Sequence, residues 1–359
     1  MFLDETFSST RQLKNGLKER DVKHVKLDDL KRLFEVFEFR EQIGHGTFGI
    51  VVQAIDKLTT KEYAIKIVSK YYSGTVCLQE VYREIKILKS VFHENIILLD
   101  RVYETSKKIY MVFELCRETL LNKFKSSCPL SEKTIKKIAK QLISAVRYLH
   151  KNDIVHRDIK MENILLATNP DDESDEYFIK LTDFGLSVIK VGSGIRGMLR
   201  DRVGTILYMA PEILLDRTYS ELCDLWSIGV ILYLLVFEKY PFSSSNEKEL
   251  MRKICETEPD YVIKDINNDC IDLLKSILKK DPAERITAME MSKHPWLENR
   301  VTRRKDQTVI DYMKQWKREM LTVSSSYFDV TGIIPIVNDD LLTSSRTDYN
   351  TAQLSNRPV

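Results

Sequence analysis

Four polar residues stand close together in the middle of the chain, in the words HRDIKMEN at 156–163 and TDFG at 182–185: Asp158, Lys160, Asn163 and Asp183. A carboxylate at 158 suits the orientation of an incoming alcohol and the acceptance of its proton. An ammonium at 160 suits neutralising charge on a phosphoryl group in flight. Asn163 and Asp183 are hard oxygen donors of the kind Mg²⁺ takes. In this order they are the residue types needed to hold a metal-bound nucleoside triphosphate beside a hydroxyl.

A nucleotide site is expected upstream. IGHGTFGIV at 43–51 supplies Ile43, Gly44, Gly46, Gly49 and Val51; glycine lets a backbone approach phosphate oxygens where a Cβ would block it. The same spacing also occurs in dinucleotide folds, but here a second strand-like run follows the third glycine instead of a helix. YAIK at 63–66 puts Lys66 on the next strand, and Glu84 in REIKIL is placed to pair with it and fix it against the α- and β-phosphates. In the same register Phe113 borders the adenine pocket, backbone groups of Glu114 and Cys116 face the base edge, and Val51, Ala64 and Leu165 sandwich the ring. Each of these has an ordinary alternative as a glycine turn, a surface lysine or a core aromatic. Their joint order favours phosphoryl transfer.

The elements that must position these residues are legible from periodicity. Residues 1–36 are charge-rich, with helical spacing only in VKLDDLKRLFEVF at 25–37. From 37 to 115, short β-branched runs (GIVVQAI, EYAIKIV, KIYMVFEL) surround one helical stretch, QEVYREIKILKSV, which reads as a small antiparallel sheet with a single helix. From 116 to 297 helical patterns dominate, as in KTIKKIAKQLISAVRYLH. The fold class is therefore α+β, a small sheet region followed by a larger, mostly helical one. The acidic DDESDE at 171–176 is expected to be a solvated hairpin tip. Residues 298–323 form a basic amphipathic segment, and the Ser/Thr/Asp/Asn-rich stretch 324–359 reads as disordered.

Bulk properties set outer limits. With 359 residues, 43% hydrophobic and 30% charged, the chain suits one large or two small domains. A net charge of +2 gives no electrostatic argument for a nucleic-acid partner. The six cysteines (Cys77, Cys116, Cys128, Cys223, Cys255, Cys270) form no CxxC pair and read as reduced thiols of a cytoplasmic protein. The start, MFLDETF, does not resemble a secretory signal, and the most apolar run, IGVILYLLVF at 228–237, is too short to span a bilayer. No membrane association is expected.

From Phe37 to Leu297 the chain resembles a eukaryotic protein kinase. GTILYMAPE at 204–212 is similar to the substrate-binding end of an activation segment. CDLWSIGVILY at 223–233 resembles the large-lobe helix that anchors the catalytic loop through Asp224. DPAERITAMEMSKHPWL at 281–297 resembles the closing helices. The resemblance implies a two-lobed fold, ATP and Mg²⁺, protein substrates, and a buried pair between Glu212 and Arg285. Lys160 together with Thr205 resembles serine/threonine specificity. The closing HPWL and the large-lobe helix are similar to the calcium/calmodulin-dependent group. HRDIKMEN, NDIVHRD and the acidic insert before KLTDFGLSV resemble its serine/threonine kinase thirty-three branch. Lys66, Asp158 and Asp183 are all retained, which argues against a pseudokinase scaffold.

Departures from that pattern carry their own expectations. ELCRETLLNKF lacks the usual glycine and acidic residue after the hinge, leaving Glu118 a poor candidate for a ribose or substrate contact. Ile206 replaces a common proline and reshapes the pocket for the residue after the phosphoacceptor. Glu162 is expected to attract a basic substrate residue, modestly, because Leu234 occupies the place of a second acidic contact. In the family Arg157 takes an anionic partner from the activation segment, commonly a phosphothreonine. Here Asp201, four residues before Thr205, is expected to supply that charge permanently through a charge-assisted pair, with less charge than a phosphate. In VTRRKDQTVIDYMKQWKREML at 301–321, Val309, Met313, Trp316 and Met320 share a helical face beside Arg303, Arg304, Lys314, Lys317 and Arg318. That pattern suits either a helix packed on the large lobe or a calmodulin target.

Overall fold

A computed structural model describes residues 19–46, 49–70, 75–190, 198–262 and 266–297. The segments 301–321 and 324–359 lie outside the described residues. The small lobe is a six-stranded sheet built from β1 (Lys23–Lys26), β2 (Phe37–Gly46), β3 (Gly49–Asp56), β4 (Glu62–Ser69), β5 (Leu99–Glu104) and β6 (Lys108–Glu114), in the order β1-β5-β6-β4-β3-β2. Helix α1 (Lys31–Val36) lies between β1 and β2 in the chain, and α2 (Thr75–Ser90) between β4 and β5. Side chains alternate faces along each strand. On β6, Ile109 and Met111 join the large core that includes Val81, Ile85 and Leu88 of α2, whereas Tyr110 and Val112 join a second core with Leu33 of α1, Phe37 and Ile65.

This lobe differs from the sequence expectation in two ways. It takes in residues before 37, and one of its pairings is parallel, β1 against β5 with Lys23 opposite Arg101. The strand KHVK is short, lies at the edge and is mostly exposed, so it lacks the alternation that marks a half-buried strand. The helical pattern at 25–37 resolves into the end of β1, a turn and α1, with Leu33 fully buried.

The large lobe contains, in chain order, β7 (Glu118–Thr119), α3 (Leu120–Ser127), α4 (Glu132–Lys151), β8 (Ile154–Val155), β9 (Ile164–Ala167), β10 (Phe178–Leu181), β11 (Val188–Ile189), α5 (Pro211–Leu214), α6 (Leu222–Phe237), α7 (Glu247–Glu256), α8 (Asn268–Ile277) and α9 (Ala288–Ser292). Helix α4 starts at the Ser131 side chain, which accepts from Thr134 N, and buries Ile135, Ile138, Ala139, Leu142, Val146 and Leu149 along one stripe. Helix α6 is apolar almost all round and buried along nearly its whole length, as a central helix must be. Gly229 lets it approach α8, since a Cβ there would lie 2.5 Å from Ile277 Cγ2. Among the described residues no helix is long and apolar enough to cross a membrane.

The acidic insert is not wholly a wet tip. Asp175 is buried, binds Lys137 at 2.6 Å and Asn169 at 2.9 Å, and accepts from Tyr177 N at 2.9 Å. Arg117, just past the hinge, donates to Ala167 O and Asp175 O (2.8 and 3.0 Å), so the departure after ELC anchors this insert. The neighbouring Asp171, Asp172 and Glu173 are exposed. The reason is geometric: the β9–β10 hairpin folds back on α4 and α3, which bring Lys137 and Lys123 to it.

The Glu212–Arg285 pair closes the lower lobe. Arg285 is fully buried; it meets Glu212 in a fork at 2.7 and 2.9 Å and also donates to Leu222 O and Lys279 O. Removing one partner strands a buried charge, which costs about 3–5 kcal/mol. Arg285→Ala should therefore shift the urea unfolding midpoint strongly downward, and Arg285→Lys, which cannot form the fork, should recover only part of it.

Candidate active site

The catalytic loop leaves β8 through His156 and Arg157. Arg157 has φ of 68°, the left-handed region, which costs a non-glycine residue roughly 1–2 kcal/mol. Asp224, in the first turn of α6 and buried, accepts from His156 N (2.9 Å) and Arg157 N (2.8 Å) and meets His150 Nε2 at 2.9 Å. Burial pushes its carboxyl up, but His150, His156 and these amides outweigh it, and the net shift is downward. The bend is thus held by a carboxylate that stays ionised. His156 reaches Thr182 O at 3.0 Å and its ring packs edge-on against the buried Phe184.

Beyond the bend, Asp158, Lys160, Asn163 and Thr205 form one hydrogen-bonded group. Lys160 Nζ donates to Asp158 Oδ2 (2.8 Å) and to Thr205 Oγ1 (3.0 Å), and Thr205 donates to Asp158 Oδ1 at 3.2 Å. Asn163 Nδ2 donates to Asp158 O (2.9 Å) and Oδ2 (3.0 Å), which leaves its Oδ1 as the donor for a cation. Thr182 N binds Asn163 O at 2.9 Å and so holds Asp183 next to this group. Asp183 is itself left-handed, with φ of 64°.

Lys66 and Glu84 join the sheet to α2. Lys66 Nζ lies 2.9 Å from both Glu84 oxygens and 3.6 Å from Asp183 Oδ1. Burial would pull the ammonium down; Glu84 and Asp183 outweigh it and hold Lys66 protonated. Among the described residues no three His, Cys, Asp or Glu side chains gather to hold a metal. The hard oxygens of Asn163 and Asp183 fit a Mg²⁺ that takes most of its shell from phosphate and water.

Around the nucleotide cleft, Val51 pairs with Lys66 across β3–β4, and Ala64 with Phe113 across β4–β6. Ala64, Cys116 and Leu165 are half-buried at the edge of the large core, and Ile43 is exposed. Glu114 donates its amide to Leu98 O (3.3 Å) and its carboxylate binds Leu98 N (2.8 Å) and Lys180 (3.1 Å). Burial, with Glu114 adding to it, pushes the Cys116 thiol up to about 12.

The protein kinase domain family matches residues 37–297. The chain belongs to the protein kinase family. It is 41% identical to serine/threonine-protein kinase 33 of Bos taurus over 83% of this chain and 63% of that protein, and 39% identical to its counterpart of Mus musculus over 82% and 62%. It is 35% identical to calcium-dependent protein kinase 4 of Plasmodium berghei (strain Anka) over 84% of this chain and 60% of that protein. The chain thus spans about three-fifths of the length of these relatives.

The segment that carries Asp201 meets the loop after β8 at Arg157, which donates to Asp201 Oδ2 (3.0 Å), Leu186 O (2.6 Å) and Tyr219 OH (3.2 Å). Tyr219 OH in turn donates to Asp201 O at 2.7 Å. Sequence reasoning missed Tyr219, whose neighbours in the chain give no hint of a partner 62 positions away. It also missed His150, which reads simply as the end of an amphipathic helix.

Gly49 carries a packing constraint that the sequence did not reveal. A Cβ there would lie 1.9 Å from Ile67 O of the neighbouring strand, whereas at Gly44 it would meet Val51 at an ordinary 3.7 Å. The close approach is to the sheet itself. Gly49→Ala should destabilise the nucleotide-free protein by about 1–3 kcal/mol, the range for forced overpacking. Gly44→Ala should leave the thermal midpoint nearly unchanged, so unfolding the two without nucleotide separates the packing role from any phosphate role.

Proposed function

We propose that this chain is a Mg²⁺-dependent protein serine/threonine kinase that transfers the terminal phosphoryl group of ATP to Ser or Thr hydroxyls of protein substrates. The observation that carries the reading is the meeting of Asp158, Lys160, Asn163 and Thr205 in one network beside a formed Lys66–Glu84 pair.

In this reading Asp158 orients the acceptor hydroxyl and takes its proton. The acceptor oxygen bonds to the terminal phosphorus, the bond from that phosphorus to the bridging oxygen breaks, and ADP leaves. Lys160 balances charge on the group in transit, and Lys66, held by Glu84, grips the α- and β-phosphates. When bound, Mg²⁺ held by Asp183 and Asn163 would draw off charge from the phosphate oxygens. The glycine loop covers the nucleotide. Glu162, exposed beside the site, favours a basic substrate residue; Leu234 is buried and offers no second contact. A pseudokinase scaffold would be expected to have lost one of Lys66, Asp158 or Asp183.

Asp201 serves as a permanent anion for Arg157 in place of a phosphothreonine. Its support is the 3.0 Å ion pair and the shared Tyr219 hydroxyl.

Asp158→Ala should lower turnover on a protein substrate by about 10²–10⁴-fold, measured as transfer of labelled phosphate with Lys66→Met as control; wild-type activity equal to that control would refute the kinase reading. Phosphatase-treated enzyme should keep its activity, and Asp201→Ala should lower it roughly tenfold, about the worth of one charge-assisted hydrogen bond. For 301–321, calcium-dependent binding of the peptide to calmodulin separates a calmodulin target from a helix packed on the large lobe.

A further inference from the structure

Helix α2 carries Glu84, and its C-terminal end is finished by a residue that precedes the family domain. The last carbonyls of any helix lack partners within it. Here Leu88 O accepts from Arg20 Nη2 at 2.8 Å, and Lys89 O accepts from the Arg20 amide at 2.7 Å. The same side chain donates to Val91 O (3.0 Å), just past the helix, and to Leu99 O (3.3 Å) on β5. One guanidinium therefore ties the helix end to the sheet. Its charge also sits where the helix dipole favours a cation.

The residues that follow strengthen the attachment. Val22 is buried in the core that holds Val81, Ile85 and Leu88 of α2. β1 then pairs with β5, and Leu27 N donates to Glu104 O at 2.7 Å. The Glu104 carboxylate is shared: His24 Nε2 lies at 2.8 Å, Tyr82 of α2 donates at 2.7 Å, and Lys70 pairs with it. Strap and helix thus meet on one carboxylate as well as at Arg20. Glu84 lies six residues before the end of α2, about 9 Å along its axis, so a swing of the helix end carries Glu84 away from Lys66.

We propose that residues 20–27 are a strap that positions the Glu84 helix, with Arg20 as its positioning residue, so that the Lys66–Glu84 pair depends on a segment outside 37–297. This rests on the kinase reading for its effect on ATP affinity, but not for its effect on the helix.

The test uses the full chain, with Arg20→Ala, Arg20→Gln (which keeps neutral donors) and, as a control on the same extension, the exposed Arg32→Ala. Amide hydrogen exchange without nucleotide should quicken at least about tenfold over 79–90 in Arg20→Ala and less in Arg20→Gln. It should stay unchanged in α4 and α6, and throughout in Arg32→Ala. ATP affinity should fall in Arg20→Ala but not fall further when Arg20→Ala is added to Glu84→Gln, because a residue acting through Glu84 has nothing left to lose. Exchange over 79–90 that stays at the wild-type rate, or that rises equally across β3 and β4, overturns the proposal. So does a full additive loss of affinity in the double variant. A chain that binds ATP and shows the exchange pattern yet transfers no phosphate would fail the kinase reading while leaving the strap intact.

Discussion

A buried carboxylate at the start of one apolar helix governs the geometry of the whole site. Asp224 takes the amides of His156 and Arg157 and the imidazole of His150. Those bonds help to hold Arg157 in its left-handed backbone, and strain of that kind persists only where its surroundings over-determine it. The bend turns Asp158 toward Thr205 and sends the Arg157 side chain toward Asp201 and Leu186 O. Catalytic loop and activation segment are therefore set by the same point. The helix that carries that point, α6, is buried along nearly its whole length.

A second linkage joins the two lobes. Lys66 lies on the sheet, Glu84 on α2 and Asp183 on the segment after β10, and the three meet at 2.9 and 3.6 Å. The pair is deeply buried, so breaking it leaves an unpaired charge in a poor solvent. That makes it sensitive to anything that shifts α2, including the strap at its far end. Phe184, packed on His156, secures the third member from below.

Much of this was readable because short words carry both residue type and spacing. Asp158, Lys160 and Asn163 lie within six positions of each other, and the strands around Lys66 show plain β-branched runs. The misreadings share a cause. β1 is an exposed edge strand whose partner lies 78 residues on, so burial leaves no pattern in it. Asp175 sits in a run of acids that composition marks as wet, yet Lys137 of α4 is brought to it by the fold. The packing constraint at Gly49 was missed because strand-to-strand crowding at Ile67 O is invisible before the register is known.

The amino-acid order by itself determined which chemical groups are present, their sequence along the chain and the type of the longer elements, such as β3, β4, β6, α2, α4 and α6, since periodicity and residue type are local properties. Tertiary structure alone decided which distant groups meet: Arg157 with Tyr219, Asp224 with the loop 68 positions before it, Arg20 with a carbonyl 79 positions after it. The physical reason is that such contacts arise when packed helices and strands bring chain segments together, and their energy depends on burial and angle, which no local pattern records.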